Sequence, residues 1–354
     1  MRFYLISAAI TIIVLISMIS YNQDFLHIKE LPYDDEQVGL NDQITIHFSH
    51  VVAENTPKGL AATKFAQLVA EKSDGKINVQ IYPNGVLYND DNELQALQKG
   101  DIQMIAPTFS KVTSELPSWQ VLDLPYMIEN EQQIYSVLHG ELSDQLLAEL
   151  ETIQVKGLTF WSNGFKQMAA KSTPILSVKD FESLRVRTMA SSILERQFTL
   201  LGAKPIVISF NELYNELQNE QIIAQENTIS NLYSKGYYAI QNHITLSNHG
   251  ILGYAVMMNG PFWKSLDKSS QQIITEALNE MTEWQHQQAV QLNVQNLLQL
   301  QQKSDVHLYE LTPEQKQQWQ EELSPLFEQY KKQNKNTYVQ QLLQEIDSGQ
   351  NDSK

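Results

Sequence analysis

The sequence predicts an α/β protein of two lobes, on three observations. From residue 43 to about residue 260, apolar segments that alternate every second residue take turns with segments of helical spacing, the order expected of mainly parallel sheets. The 354 residues exceed one ordinary core, and a hydrophobic content of 42% is enough to fill two. The third observation is an unbroken helical pattern from Ser269 to about Lys303 with neither proline nor glycine in it. At 1.5 Å per residue such a helix is roughly 50 Å long, so it should lie across both lobes.

The elements follow in order. Phe3 to Ile19 is an uncharged apolar run behind Met1 and Arg2, so residues 1–20 read as a signal peptide or a retained N-terminal anchor, with polar residues 21–42 as a linker. Ile44, Ile46 and Phe48 alternate as a strand, and Lys58 to Ser73 has helical spacing through Leu60, Phe65, Leu68 and Val69. Ile77 to Tyr82 is a second strand ending in the turn signal Pro83-Asn84-Gly85. A short helix over Asn92 to Lys99 stops at Gly100, and a strand over Ile102 to Ala106 exits through Pro107, Thr108 and Ser110. An amphipathic helix is expected from about Glu131 to Leu150, then a strand from Val155 to Trp161 running into Ser162 to Gln167.

Leu184, Val186 and Met189 mark the next strand, and Ser191 or Ser192 caps the helix carrying Ile193, Leu194, Phe198 and Leu201. Pro205 to Ser209 extends again, Phe210 to Leu217 is helical, and Ile222 to Ala224 enters Gln225-Glu226-Asn227. Gly253 to Met258 reads as a strand crossing back to the first sheet, and Pro313 to Leu343 as a glutamine-rich helix. The lobes are expected to comprise residues 43–163 with about 254–285, and 164–253 with about 286–345, ahead of a frayed tail at 346–354.

Charge and composition exclude several classes. Twenty-five basic against 41 acidic residues leave a net charge of −16, which argues against nucleic-acid binding and against a broad basic surface on anionic lipid. The absence of cysteine removes disulfides, thiolate metal sites and a cysteine nucleophile. The eight histidines include no His-x-x-x-His pair with an acidic ligand nearby, and no metal or other cofactor site is expected. No nucleophile elbow, phosphate loop or Gly-x-Gly-x-x-Gly occurs, so catalysis has no identifiable team. Glu226 has no nucleophile or metal beside it and reads as a hydrogen-bonding partner that holds a neighbour.

What remains is a set suited to binding. Arg187 stands at a strand-to-helix junction, where open α/β sheets hold their ligands, and its guanidinium fork suits a planar carboxylate; the alternative is an arginine paired locally. Lys166 and Asn227 also follow expected strands, with Phe165, Phe210 and Trp161 close by as aromatic walls or core residues.

Several motifs then carry a resemblance. His50 to Gly59, Tyr82-Pro-Asn-Gly85, Leu97 to Asp101, Asn163 to Met168, Leu184-Arg-Val-Arg187, Gln225-Glu-Asn227 and Leu246-Ser-Asn-His249 resemble the substrate-binding proteins of tripartite ATP-independent periplasmic (TRAP) transporters, of the C4-dicarboxylate-binding type, from about Ile44 to Tyr330. The resemblance implies a periplasmic-binding-protein-like fold with a hinge and a helix spanning both lobes. It assigns the carboxylate salt bridge to Arg187, an amide donor to Asn227 and a second cation to Lys166, and it sets His50, Lys58, Thr108 and Phe210 along the cleft. It implies capture without catalysis or cofactor, a small organic acid such as succinate, malate or fumarate as ligand, export to the periplasm with a membrane tether if the leader is retained, and TRAP permease subunits as partners. A sensory protein presenting its ligand to a receptor, and binding of a monocarboxylic or sugar acid, are the alternatives. Thr228 departs from the family pattern, in which a proline commonly follows the asparagine.

Overall fold

In the computed structural model, which describes residues 43–333, the alternation of Ile44, Ile46 and Phe48 forms β1 (Ile44–Ser49), with Ile46 and Phe48 fully buried. Thr56 accepts a hydrogen bond from the Gly59 N–H and Pro57 occupies the first turn, which starts α1 (Pro57–Lys72); β2 (Ile77–Tyr82) then lies parallel to β1. α2 (Glu93–Lys99) ends at Gly100 in the left-handed region, φ 83°, where glycine has no steric penalty, and β3 (Met104–Ile105) follows.

The expected helix over Glu131 to Leu150 is instead two, α3 (Glu131–Leu138) and α4 (Glu141–Glu149), turning at Gly140. A Cβ there would stand 2.6 Å from the Ser136 carbonyl oxygen, so the turn depends on the missing side chain. Val155 to Trp161 and Ser162 to Gln167 are one 16-residue strand, β4 (Val155–Ala170). β5 (Arg185–Thr188), α5 (Ser192–Leu200) and β6 (Lys204–Val207) come next. Then follow α6 (Leu213–Gln218), β7 (Ala224–Thr228), α7 (Ile229–Ser234), β8 (His243–Leu246) and β9 (Ile251–Asn259). The chain continues through α8 (Gly260–Ser265), α9 (Lys268–Gln301), β10 (His307–Glu310) and α10 (Pro313–Gln333).

The sheet runs β2-β1-β3-β9-β4-β7-β5-β6, with β8 on β4 and β10 on β8. It divides at β4, whose first part pairs with β9 and whose last part pairs with β7 and β8. Each half is parallel except for one reversed strand: β9 in the first, β4 in the second. The 34 residues of α9 tie the halves together. Ile274, Ala277, Leu278 and Met281 pack with Phe48 and Phe65 in one core cluster, while Leu300 packs with Leu232 and Ile244 in another.

Between those ends α9 grips β4 where it is irregular. The register slips between Ser162 and Gly164, and Gly164 has φ +89°. Gln285 accepts from the Ser162 N–H at 2.9 Å and donates to the Ser162 carbonyl at 2.7 Å; Asn293 donates to the Asn163 carbonyl at 2.9 Å and accepts from the Ser230 N–H at 2.9 Å. A bulge leaves ladder groups unpaired, and buried amides need partners, which these two side chains supply.

The expected leader, the linker to residue 42, the end of the second lobe and the tail lie outside the described residues. Among the described residues no helix is long and apolar enough to cross a membrane. Replacing Gln285→Leu orphans one buried donor and one buried acceptor, and is expected to cost about 2–4 kcal/mol, measured as a lowered calorimetric unfolding temperature.

Candidate functional site

Where the two halves meet lies a pocket of about 460 Å³, a volume that includes space open to solvent. Its wall includes Arg187, Lys166, Asn227, Phe210 and Thr108, five of the seven residues expected from the sequence. The strand ladder explains the grouping: Arg187 is opposite Gln225 on β5 and β7, and Lys166 is opposite Thr228 on β4 and β7.

Arg187 is 2% exposed, and its Nε donates to the Ile208 carbonyl at 2.9 Å. Among the described residues it makes no ion pair and no other hydrogen bond, so the two terminal nitrogens of the fork are uncommitted at the cavity wall. Burial lowers its pKa from the ordinary arginine value, while Asp90 and Tyr237 act in the opposite sense. A guanidinium stays charged under such a shift, so the site holds a buried positive charge that no described carboxylate pairs with.

Lys166 is differently placed. Its Nζ is 2.9 Å from Glu226 Oε1, and His249 Nε2 is 2.8 Å from Glu226 Oε2, all three side chains being buried. Burial disfavours the Glu226 carboxylate, but Lys166 and the His249 hydrogen bond outweigh it and hold the pKa down at about 2. Burial lowers the His249 pKa against the pull of Glu226; in the neutral ring Nε2–H donates to Glu226, an acceptor only, and Nδ1 accepts from the Ser247 hydroxyl at 2.7 Å. Lys166 therefore faces the cavity with its charge already balanced, and Glu226 is the holding partner expected from its isolation in the sequence.

Asn227 is oriented by a relay. Gln241 Oε1 accepts from Gln225 Nε2 at 2.6 Å, Gln225 Oε1 accepts from Asn227 Nδ2 at 3.2 Å, and Asn227 Oδ1 accepts from Asn231 Nδ2 at 2.9 Å. Thr228 caps α7, and its N–H donates to Asn227 Oδ1 at 3.0 Å, a bond that proline at this position would not make.

His50 and Lys58 do not line the cavity. Both are fully buried: Lys58 Nζ donates to the Ala106 carbonyl at 2.8 Å and lies 3.9 Å from the centre of the Tyr254 ring, whose residue is part of the wall. Burial pushes the Lys58 pKa down to about 8 and, with Lys58 nearby, that of His50 down to about 3. Asp90, Glu93, Met189, Asn231 and Tyr254 line the cavity and were not singled out from the sequence. For Asp90 and Glu93 the only signal was the acidic run Asn89 to Glu93, which reads equally as a solvated turn and first helical turn.

The halves also touch beside the cavity. The Phe210 N–H donates to both Asp90 oxygens at 3.1 Å, and Asn211 Nδ2 donates to the Asn84 carbonyl at 3.3 Å. Gly85, at φ +69°, lets that loop approach: a Cβ on it would be 2.6 Å from Asn211 Nδ2.

Two half-sheets sharing a through-running strand, closed over a cavity with an unpaired arginine, define a two-lobed solute-binding protein. The chain belongs to the DctP family of bacterial extracellular solute-binding proteins, family 7, whose pattern matches residues 48–333. It is 47% identical over 302 residues to a C4-dicarboxylate-binding protein, DctB, of Bacillus subtilis, covering 85% of this chain and 86% of that one. A TRAP periplasmic solute-binding protein from Sulfurospirillum deleyianum, solved with bound succinate, superposes with a TM-score of 0.81 at 35% identity, covering 86% of this chain and 98% of that one. Another, from Pseudomonas aeruginosa with bound L-malate, gives 0.79 at 31% identity, covering 81% of this chain and all of that one, 100%. The family is one of solute-binding proteins.

Two outcomes follow from the geometry. Glu226→Gln removes the counter-charge of buried Lys166 and should destabilise the fold by about 3–5 kcal/mol. Because the folded Glu226 pKa is depressed, its contribution is present above the ordinary carboxylate range and lost as pH falls toward about 2; this segment of the acid-unfolding profile should disappear in the variant. Gly85→Val should crowd Asn211 and speed ligand release without loss of fold, as read by stopped-flow fluorescence.

Proposed function

We propose that this protein captures a C4-dicarboxylate such as succinate, malate or fumarate and delivers it to a TRAP-type permease in the membrane. The observation that carries this reading is Arg187: a buried guanidinium with two uncommitted terminal nitrogens in a cavity wall. An unpaired buried charge is costly, and a planar carboxylate relieves that cost with two charge-assisted hydrogen bonds. Asn227, held by its amide relay, supplies a further N–H, while Thr108 and Phe210 complete the enclosure from opposite halves. The relatives named for C4-dicarboxylates, or solved with succinate and malate, support the ligand class.

Lys166 acts through charge and orientation, and His50 and Lys58 from behind the wall. The moving lobes are residues 43–163 with about 254–285, and 164–253 with about 286–345. The bulge at Ser162 to Gly164, gripped by Gln285 and Asn293, supports a hinge at their junction. Ligand binding then favours the closed form by its difference in affinity for the two states. Residues 1–20 export the chain, and retention of that segment would tether it to the membrane.

Calorimetric titration with succinate, malate, fumarate, pyruvate and sialic acid tests the reading. A C4 acid should bind one-to-one, Arg187→Ala should weaken it by at least about 100-fold, and Arg187→Lys should recover little because a point charge cannot reproduce the fork. Folded wild-type protein, free of co-purified ligand, that binds none of these acids would overturn it.

A further inference from the structure

Glu93 opens α2 and is 0% exposed, yet it belongs to the wall of the cavity, and neither carboxyl oxygen has a hydrogen-bond partner among the described residues. Its charged surroundings come from several elements. Lys58 of α1 has its ammonium on the Ala106 carbonyl and over the Tyr254 ring. Lys111, after β3, pairs with Asp91 at 2.6 Å and Asp90 at 3.3 Å, and Asp90 itself receives the Phe210 N–H. Tyr254 of β9 is buried beside these groups, and His50, near Lys58, is neutral. No cation in this set donates to Glu93.

A buried carboxylate without donors bears the full cost of desolvation, whereas the neutral acid avoids most of it. Burial accordingly pushes Glu93 up to about 8; the Lys58 charge opposes the rise and Asp90 adds to it. In the neutral form the O–H needs an acceptor, and the described residues provide none. Thr108, in the same wall, has a buried hydroxyl in the same condition. Arg187 belongs to β5 in the second half of the sheet, whereas Glu93 and Thr108 flank β3 in the first, so a ligand spanning the cavity meets the arginine at one end and these two hydroxyl donors at the other.

We propose that Glu93 is a specificity-determining residue that contacts the ligand as a neutral carboxylic acid, donating its O–H to the carboxylate that Arg187 does not hold, so that capture and closure are linked to uptake of one proton from solvent. This inference rests on the organic-acid reading above. It favours an acceptor at the distal end of the ligand, a second carboxylate over an ammonium or alkyl end. In the open form the Glu93 carboxyl meets water and ionises more readily; closure against an anion restores the proton. Capture should therefore weaken as pH rises past the point at which Glu93 ionises.

The test is titration calorimetry with succinate from about pH 6.5 to about pH 9.5, above the ligand's own ionisations, in buffers of different ionisation enthalpy that report the protons taken up. Wild-type protein should lose affinity by up to about tenfold per pH unit in the alkaline range, with uptake approaching one proton per ligand. Glu93→Gln keeps an N–H donor and cannot titrate, so it should bind within a few-fold of wild type near neutrality and lose both the slope and the uptake. A flat wild-type profile without uptake overturns the proposal using the wild-type protein alone. An unchanged slope in Glu93→Gln overturns it as well and assigns the titration to Lys58. Failure of every acid to bind at any pH overturns the organic-acid reading itself, an outcome distinct from binding without proton linkage.

Discussion

The site depends on how positive charge is kept inside the protein. Lys166 and Arg187 are both buried, but the fold treats them differently: Lys166 has Glu226 at 2.9 Å, and among the described residues Arg187 has only a carbonyl on Nε. The Lys166–Glu226–His249–Ser247 chain neutralises one cation and fixes strands β4 and β7, together with the turn before β9, around it. That rigid, satisfied network lets the neighbouring arginine remain unsatisfied. An uncompensated charge is tolerated where the surrounding structure leaves the side chain no alternative partner, and it then has strong affinity for an anion.

The architecture serves the same end. β4 and α9 each run through both halves, and they meet at the bulge, where Gln285 and Asn293 satisfy the amides that the slipped ladder leaves over. Other polar contacts also cross between the halves: Asp90 to the Phe210 amide, Asn211 to Asn84, and Thr113 to the Ala190 carbonyl.

Parts of this were legible in the chain. Arg187, Lys166 and Asn227 stand at or near the ends of apolar alternating segments, and the ladder brings them together as that position implies. The uninterrupted apolar spacing of α9 announced its length and its reach. Other elements were not legible. β8 and β10 have four residues each, too few for alternation to register, and they pair across more than sixty residues of chain. The split between α3 and α4 turns on how closely one glycine approaches one carbonyl. His50 and Lys58 were placed along the cleft, whereas both are fully buried and neither lines the cavity, Lys58 lying over the Tyr254 ring.

The sequence by itself determined the α/β order, the two halves, the through-running helix and an arginine at a strand end. Each of these is written in local periodicity or in the chemistry of one side chain at a strand end. The tertiary structure decided which charges are spent and which are free. Among the described residues Lys166 is paired and Arg187 is not; Asp90 receives the Phe210 amide, and Glu93, three residues on, is buried in the wall with no donor. Those outcomes depend on desolvation and on partners brought from distant elements, and a carboxylate in an acidic run carries no mark of either until the chain has folded around it.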